Sequence, residues 1–121
     1  MIQDVLDFQV ATGQFDTHPP VENFYRRLIK EEYEEFQEAV VASDEVEEFD
    51  ACLDMIYVIV GHMIQKGWDI QGGWDEVQRS NMAKVDGATG RVNRRPDGKI
   101  LKPADWAPPD LTSFMKKEKS L

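Results

Sequence analysis

Two acidic runs in this chain have the residue types and spacing for chemistry. The first is Glu31-Glu32-Tyr33-Glu34-Glu35; the second is Glu47-Glu48-Phe49-Asp50, followed by Asp54. On a helix with Glu31 at zero, Glu35 lies at about 40° and Glu32 at about 100°, with Phe24, Leu28 and Ala39 at about 20°, 60° and 80°. Three glutamates thus share an arc with apolar residues, while Arg26, Lys30, Glu34 and Gln37 gather elsewhere. An isolated E-E-x-x-E is usually only a solvated face. Carboxylates on a packing face are different, because they are almost never buried without partners. Glu47, Asp50 and Asp54 repeat the pattern at i, i+3 and i+7, which is one helical face. Asp54 is surrounded in sequence by Leu53, Met55, Ile56 and Tyr57. A core ion pair between Asp54 and a base such as Arg79 is the alternative, but it leaves Glu47 and Asp50 unexplained.

Carboxylates brought together without cations repel one another, and their pKa values rise. Hard divalent cations resolve the conflict, and an all-oxygen donor set favours Mg²⁺ or Mn²⁺. A zinc set is missing from the sequence: Cys52 is the one cysteine, and His18 and His62 lie far apart. An acidic metal site in a negative protein suits an anionic substrate that arrives with its metal. Phosphoanhydride hydrolysis is the natural reaction, since cations hold the phosphates and a carboxylate takes the proton of the attacking water.

These acids need two long helices to position them. Pro20 suits a helix start, and helical period runs from Val21 to about Ala42. Ser43-Asp44 offers an N-cap with Glu47 in the reciprocal position, so a second helix is expected over 45–65, stopped by Lys66-Gly67. A short helix over 2–12 precedes them, and a third follows from about Gly73 to Lys84. From Leu53 to Ile64 the second long helix is apolar almost all round, so it should be central. A short turn between the long helices packs them antiparallel and lets the acid faces meet. Arg95-Pro96-Asp97-Gly98 is a turn signal between two extended pieces of 91–102. Residues 116–121 read as a frayed tail.

A chain of 121 residues fits one domain, 1–121, whose modest core would gain from oligomerisation. With 23 acidic and 14 basic residues the net charge is -9, which argues against a nucleic-acid backbone as partner. The opening MIQDVLDF has no basic region and does not read as a secretory signal. Met55 to Ile64 is too short to span a bilayer. A lone cysteine fits the cytosol, so a cytoplasmic protein is expected.

The two acidic runs together resemble the E-E-x-x-E … E-x-x-D signature of the MazG-like, all-α nucleoside triphosphate pyrophosphohydrolase superfamily. Residues 50–61 resemble the second metal helix of its phosphoribosyl-ATP pyrophosphohydrolase-like branch. Residues 77–84, 97–103 and 108–111 resemble that branch's later segments. The resemblance spans roughly residues 5 to 111. It implies an all-α helical bundle completed by dimerisation, as a homodimer or a dimer of dimers, with an extended hairpin-like C-terminal segment. It implies Glu31, Glu32, Glu35, Glu47 and Asp50 as the catalytic Mg²⁺ site, with Mn²⁺ as a substitute and Asp54 as a further ligand or supporting acid. Asn81 and Lys84 match positions facing the substrate phosphates, and Arg79 lies in the same segment. Phe8 and Gln9 are candidates for contacting the base because the family's N-terminal segment lies close to the nucleotide. Gln14, Phe15 and Trp74 are further candidates.

The expected activity is hydrolysis of a (d)NTP to the (d)NMP and diphosphate, with a phage-type purine dNTP, dGTP or dATP, as one substrate class. The alternatives are a phosphoribosyl-ATP pyrophosphohydrolase of histidine synthesis and a non-catalytic helical assembly module.

Overall fold

The structure is a computed structural model describing residues 1–85 and 90–115. These divide into two compact units, residues 1–68 and 69–115. The expected all-α class is met: the described residues form four α-helices, one two-stranded ribbon and a single 3-10 turn. The tail at 116–121 lies outside the described residues.

The first unit holds α1 (Ile2–Ala11), α2 (Phe24–Val41) and α3 (Glu45–Lys66). Helix α3 starts where the sequence indicates, with the Asp44 carboxylate accepting from the Glu47 N–H at 3.1 Å. It ends at Gly67, whose φ of 75° closes the helix in the left-handed region. Helix α2 begins three residues later than expected. Asn23, at φ 67°, holds the chain left-handed just after Val21 and delays the first helical turn. A two-residue connection at Ala42 and Ser43 precedes the Asp44 cap, and α2 and α3 pack extensively on each other.

A buried polar network ties α1 to this pair. Gln9 is 1% exposed. Its Nε2 donates to the Tyr25 hydroxyl and to the Gly61 carbonyl, both at 3.0 Å, and its Oε1 accepts from Gln65 Nε2 at 2.6 Å. Tyr25 in turn donates to Gln14 Oε1 at 2.7 Å. Every polar atom of the Gln9 amide has a partner, which a buried amide requires. The close approach needs glycine at 61, because a Cβ there would lie 2.5 Å from the Tyr25 ring.

Helix α3 is less covered than its composition leads one to expect. Ala51, Val60, Gly61 and Ile64 are buried, but Phe49 is 66% and Leu53 50% exposed. Ile56, Tyr57 and Ile59 are also exposed. A single chain has too few other elements to cover a helix that is apolar nearly all round.

The second unit holds α4 (Ile70–Met82), strands β1 (Asn93–Arg94) and β2 (Ile100–Leu101), and the 3-10 turn Thr112–Phe114. Helix α4 starts earlier than expected because Asp69 caps it, accepting from the Gly72 N–H at 3.1 Å. The Gly72-Gly73 pair, read as a start, lies inside the helix. The expected turn forms: β1 and β2 pair antiparallel, with Arg94 opposite Ile100. The C-terminal segment is fastened to α4. Trp106 Nε1 donates to the Ser80 carbonyl, and the Asp110 N–H donates to Glu76 at 2.7 Å.

Candidate metal centre

Antiparallel packing of α2 and α3 brings carboxylates from both helices to one place. Oxygens of Glu32, Glu35 and Asp54 all lie within 4.8 Å of one another. Glu32 and Asp54 are half-buried, while Glu35 is exposed. The i, i+3 step from Glu32 to Glu35 puts both on one face of α2, and Asp54 faces them from the third turn of α3.

The electrostatics show the strain of this arrangement. Glu32 is pushed up to about 7, first by burial, then by a hydrogen bond with Glu35, then by the charges of Glu35, Asp54 and Asp50. That hydrogen bond exists only when one of the two carboxyls carries a proton. Asp54 is also raised, by burial first and then by Asp50 and Glu35. Glu32 Oε2 is buried and has no hydrogen-bond partner among the described residues. A buried anionic oxygen without a donor is costly, and a proton or a cation is what it lacks. Among the described residues no base forms an ion pair with Glu32, Glu35 or Asp54. The donor set is all oxygen and hard, so these residues fit a hard divalent cation.

Beside this cluster, a depression of about 260 Å³ lies between the end of α2 and the start of α3. Its lining includes Glu35, Glu38, Glu47 and Asp50. The candidate acids thus form two overlapping groups, joined by Glu35 and by Asp50, whose charge acts on Glu32 and Asp54. Glu31 is exposed and belongs to neither group. Glu38 was not anticipated; its i+3 spacing from Glu35 is the signal that would have found it. Glu34 stands apart on the solvated face, 3.8 Å from Lys30.

The substrate candidates are spread over both units. In the first, Phe8 is partly exposed and meets Tyr57 edge-on with centroids 5.8 Å apart. Gln9 is consumed by its buried network, Gln14 accepts from Tyr25 through Oε1 and from Gln65 through its backbone carbonyl, and Phe15 is buried. In the second, Lys84 Nζ donates to Asn81 Oδ1 at 3.0 Å and lies 5.5 Å from the Trp106 ring centre. Arg79 pairs with Glu76 at 2.6 Å, which with the Asp110 N–H holds Glu76 down at about 2. Trp74 is exposed.

No curated protein sequence matches the chain. The family model for phosphoribosyl-ATP pyrophosphohydrolase matches residues 13–81. That span is more than half of the chain and includes both acid helices. It stops at Asn81, before Lys84 and the ribbon. The resemblance read from the acidic runs is met, and the chain belongs to the phosphoribosyl-ATP pyrophosphohydrolase family, within the MazG-like, all-α nucleoside triphosphate pyrophosphohydrolase superfamily.

Proposed function

We propose that the protein is a Mg²⁺-dependent pyrophosphohydrolase that converts a nucleoside triphosphate to the monophosphate and diphosphate. The observation that carries this reading is the buried Glu32 Oε2, which has no partner among the described residues, within a three-carboxylate cluster that no base among those residues neutralises. Glu32, Glu35 and Asp54 would hold the cation, with Glu47 and Asp50 at the adjoining depression. When bound, Mg²⁺ or Mn²⁺ supplies the positive charge that offsets both the carboxylates and the substrate phosphates. One carboxylate of the cluster accepts the proton of the attacking water, the α–β phosphoanhydride breaks, and the diphosphate leaves. Asn81 and Lys84 bind the triphosphate, the lysine as a mobile point charge and the asparagine as an amide donor. Phe8 is the base-stacking candidate we retain.

A nucleoside triphosphate, with a phage-type purine deoxynucleoside triphosphate as one candidate, is the substrate class we rank first, because the segment 91–111 resembles the nucleotide-hydrolase relatives. The family match favours a second reading, phosphoribosyl-ATP. A screen of common nucleoside triphosphates and phosphoribosyl-ATP for diphosphate release separates the two, and no release from any of them contradicts both.

The working form is a dimer or a dimer of dimers. The support is the exposed apolar surface of α3 at Phe49, Leu53, Ile56 and Ile59. Light scattering should report at least twice the chain mass of 13.9 kDa. An active species of 13.9 kDa would contradict the assembly.

A further inference from the structure

At the opposite end of the α2–α3 pair lies a second cavity, of about 210 Å³. Three basic side chains line it, beside the amides of Asn23 and Gln65: Arg26 in the first turn of α2, and His62 and Lys66 in the last turns of α3. His62 lies eight helical steps from Asp54, about 12 Å along α3, so this group is separate from the carboxylate cluster. Pro20, Val21 and Phe24 add an apolar wall.

One of the charges here has no internal explanation. Arg26 and Lys66 form no ion pair among the described residues, in a chain with nine more negative than positive charges. Glu22, an acid on the wall, forms none either. Lys66 suits the C-terminal end of α3, where a cation complements the helix dipole. Arg26 does not suit its place. It sits with Arg27 in the first turn of α2, which has no acidic residue and no side-chain cap at Asn23. Cations at an uncapped helix N-terminus are set against the dipole. His62 is half-buried and held below its ordinary range, by burial first and then by Lys66 and Arg26, so all three groups feel one another. Breaks in such local rules gather at functional sites.

We infer that the cavity lined by Arg26, His62 and Lys66 binds the phosphate group of a phosphomonoester. A planar guanidinium, an ammonium and an imidazole N–H match the oxygens of a tetrahedral dianion, and the Val21 and Phe24 wall suits the attached sugar carbon. The phosphate has two sources. It is either a second phosphate at the far end of a substrate whose triphosphate lies at the carboxylates, or a free sugar phosphate.

The test uses the full-length protein in EDTA, titrated with ribose 5-phosphate and, separately, with inorganic phosphate. The readout is the His62 ring proton resonance, with His18 as internal control because the chain has two histidines. A saturable shift confined to His62 is expected, with ribose 5-phosphate binding more tightly than phosphate. Arg26→Ala and Lys66→Ala should each weaken binding by about tenfold or more, the loss expected for one charge-assisted hydrogen bond. Both side chains are exposed, so neither change opens the core. Glu32→Gln should leave this binding intact even if the hydrolase reading fails, which separates the two ideas. No saturable shift, or equal affinity in both variants, overturns the assignment. Kinetics then distinguish the sources. A higher KM in Arg26→Ala only for a substrate with a distal phosphate supports the substrate, and unchanged KM for every substrate supports a free phosphomonoester.

Discussion

Glu32→Gln, Glu35→Gln and Asp54→Asn should each lower turnover on the order of a hundredfold to a thousandfold, the range seen when one preorganised electrostatic partner is removed. Glu47→Gln and Asp50→Asn should also abolish measurable turnover if the adjoining depression is part of the site. The same changes should leave the metal-free fold as stable as wild type or more so. Each deletes a charge from an acidic group that repels itself, and Glu32 in particular carries a buried oxygen with no partner among the described residues. Loss of function with gain of stability is the signature of a functional acid cluster, since a structural one would lose both. Glu34→Gln, on the solvated face beside Lys30, is the control and should change neither. Kinetics paired with urea unfolding in EDTA checks both halves, and near-wild-type turnover in the Glu32, Glu35 and Asp54 variants would remove those residues from the site.

The metal-free protein should lose stability as pH rises from 5 to 8 through the Glu32 window. In the folded state Glu32 titrates at about 7 against an ordinary 4.5. Between those values the folded state holds a proton that the unfolded chain has released. The folded state therefore binds more protons there, and stability falls with rising pH and then levels off. The raised Asp54 acts in the same direction. His62 acts in the opposite direction, because its lowered pKa lets the unfolded chain bind more protons below its ordinary 6.5. Comparison with Glu32→Gln cancels His62 and isolates the glutamate. After allowance for solvent screening of a half-buried group, the difference should be about 1–2 kcal/mol between pH 5 and pH 8. Mg²⁺ should reverse the loss at pH 8, because it binds the deprotonated cluster in the folded state alone. Urea midpoints at the two pH values, with and without Mg²⁺, provide the measurement. Identical slopes for wild type and Glu32→Gln would contradict the buried-carboxylate account.

What was legible in the sequence follows from how local each signal is. The start and stop of α3 were readable because Asp44 and Gly67 act within one turn of themselves. The convergence of α2 and α3 acids was readable because i, i+3 and i+7 spacing fixes a face. Which of Glu31 and Glu32 joins the cluster was not readable. Adjacent helical residues point about 100° apart, and the rotation of α2 against α3 decides between them. The structure turns Glu32 inward and leaves Glu31 exposed. The delayed start of α2 is not legible in the sequence, because it rests on the left-handed backbone of Asn23. The early start of α4 is hidden by Gly72-Gly73, which reads as the helix start although Asp69 caps the helix. The sequence makes Gln9 a candidate base contact, whereas its partners Tyr25, Gly61 and Gln65 lie 16, 52 and 56 residues away. No local pattern announces a network of that range.

The most direct test of the central claim is product identification by phosphorus NMR, with a nucleoside triphosphate and the wild-type protein, in Mg²⁺ and again in excess EDTA. The account predicts monophosphate and diphosphate in equal amounts with Mg²⁺, and no turnover in EDTA. A nucleoside diphosphate with orthophosphate as the products, or undiminished turnover in EDTA, would contradict it.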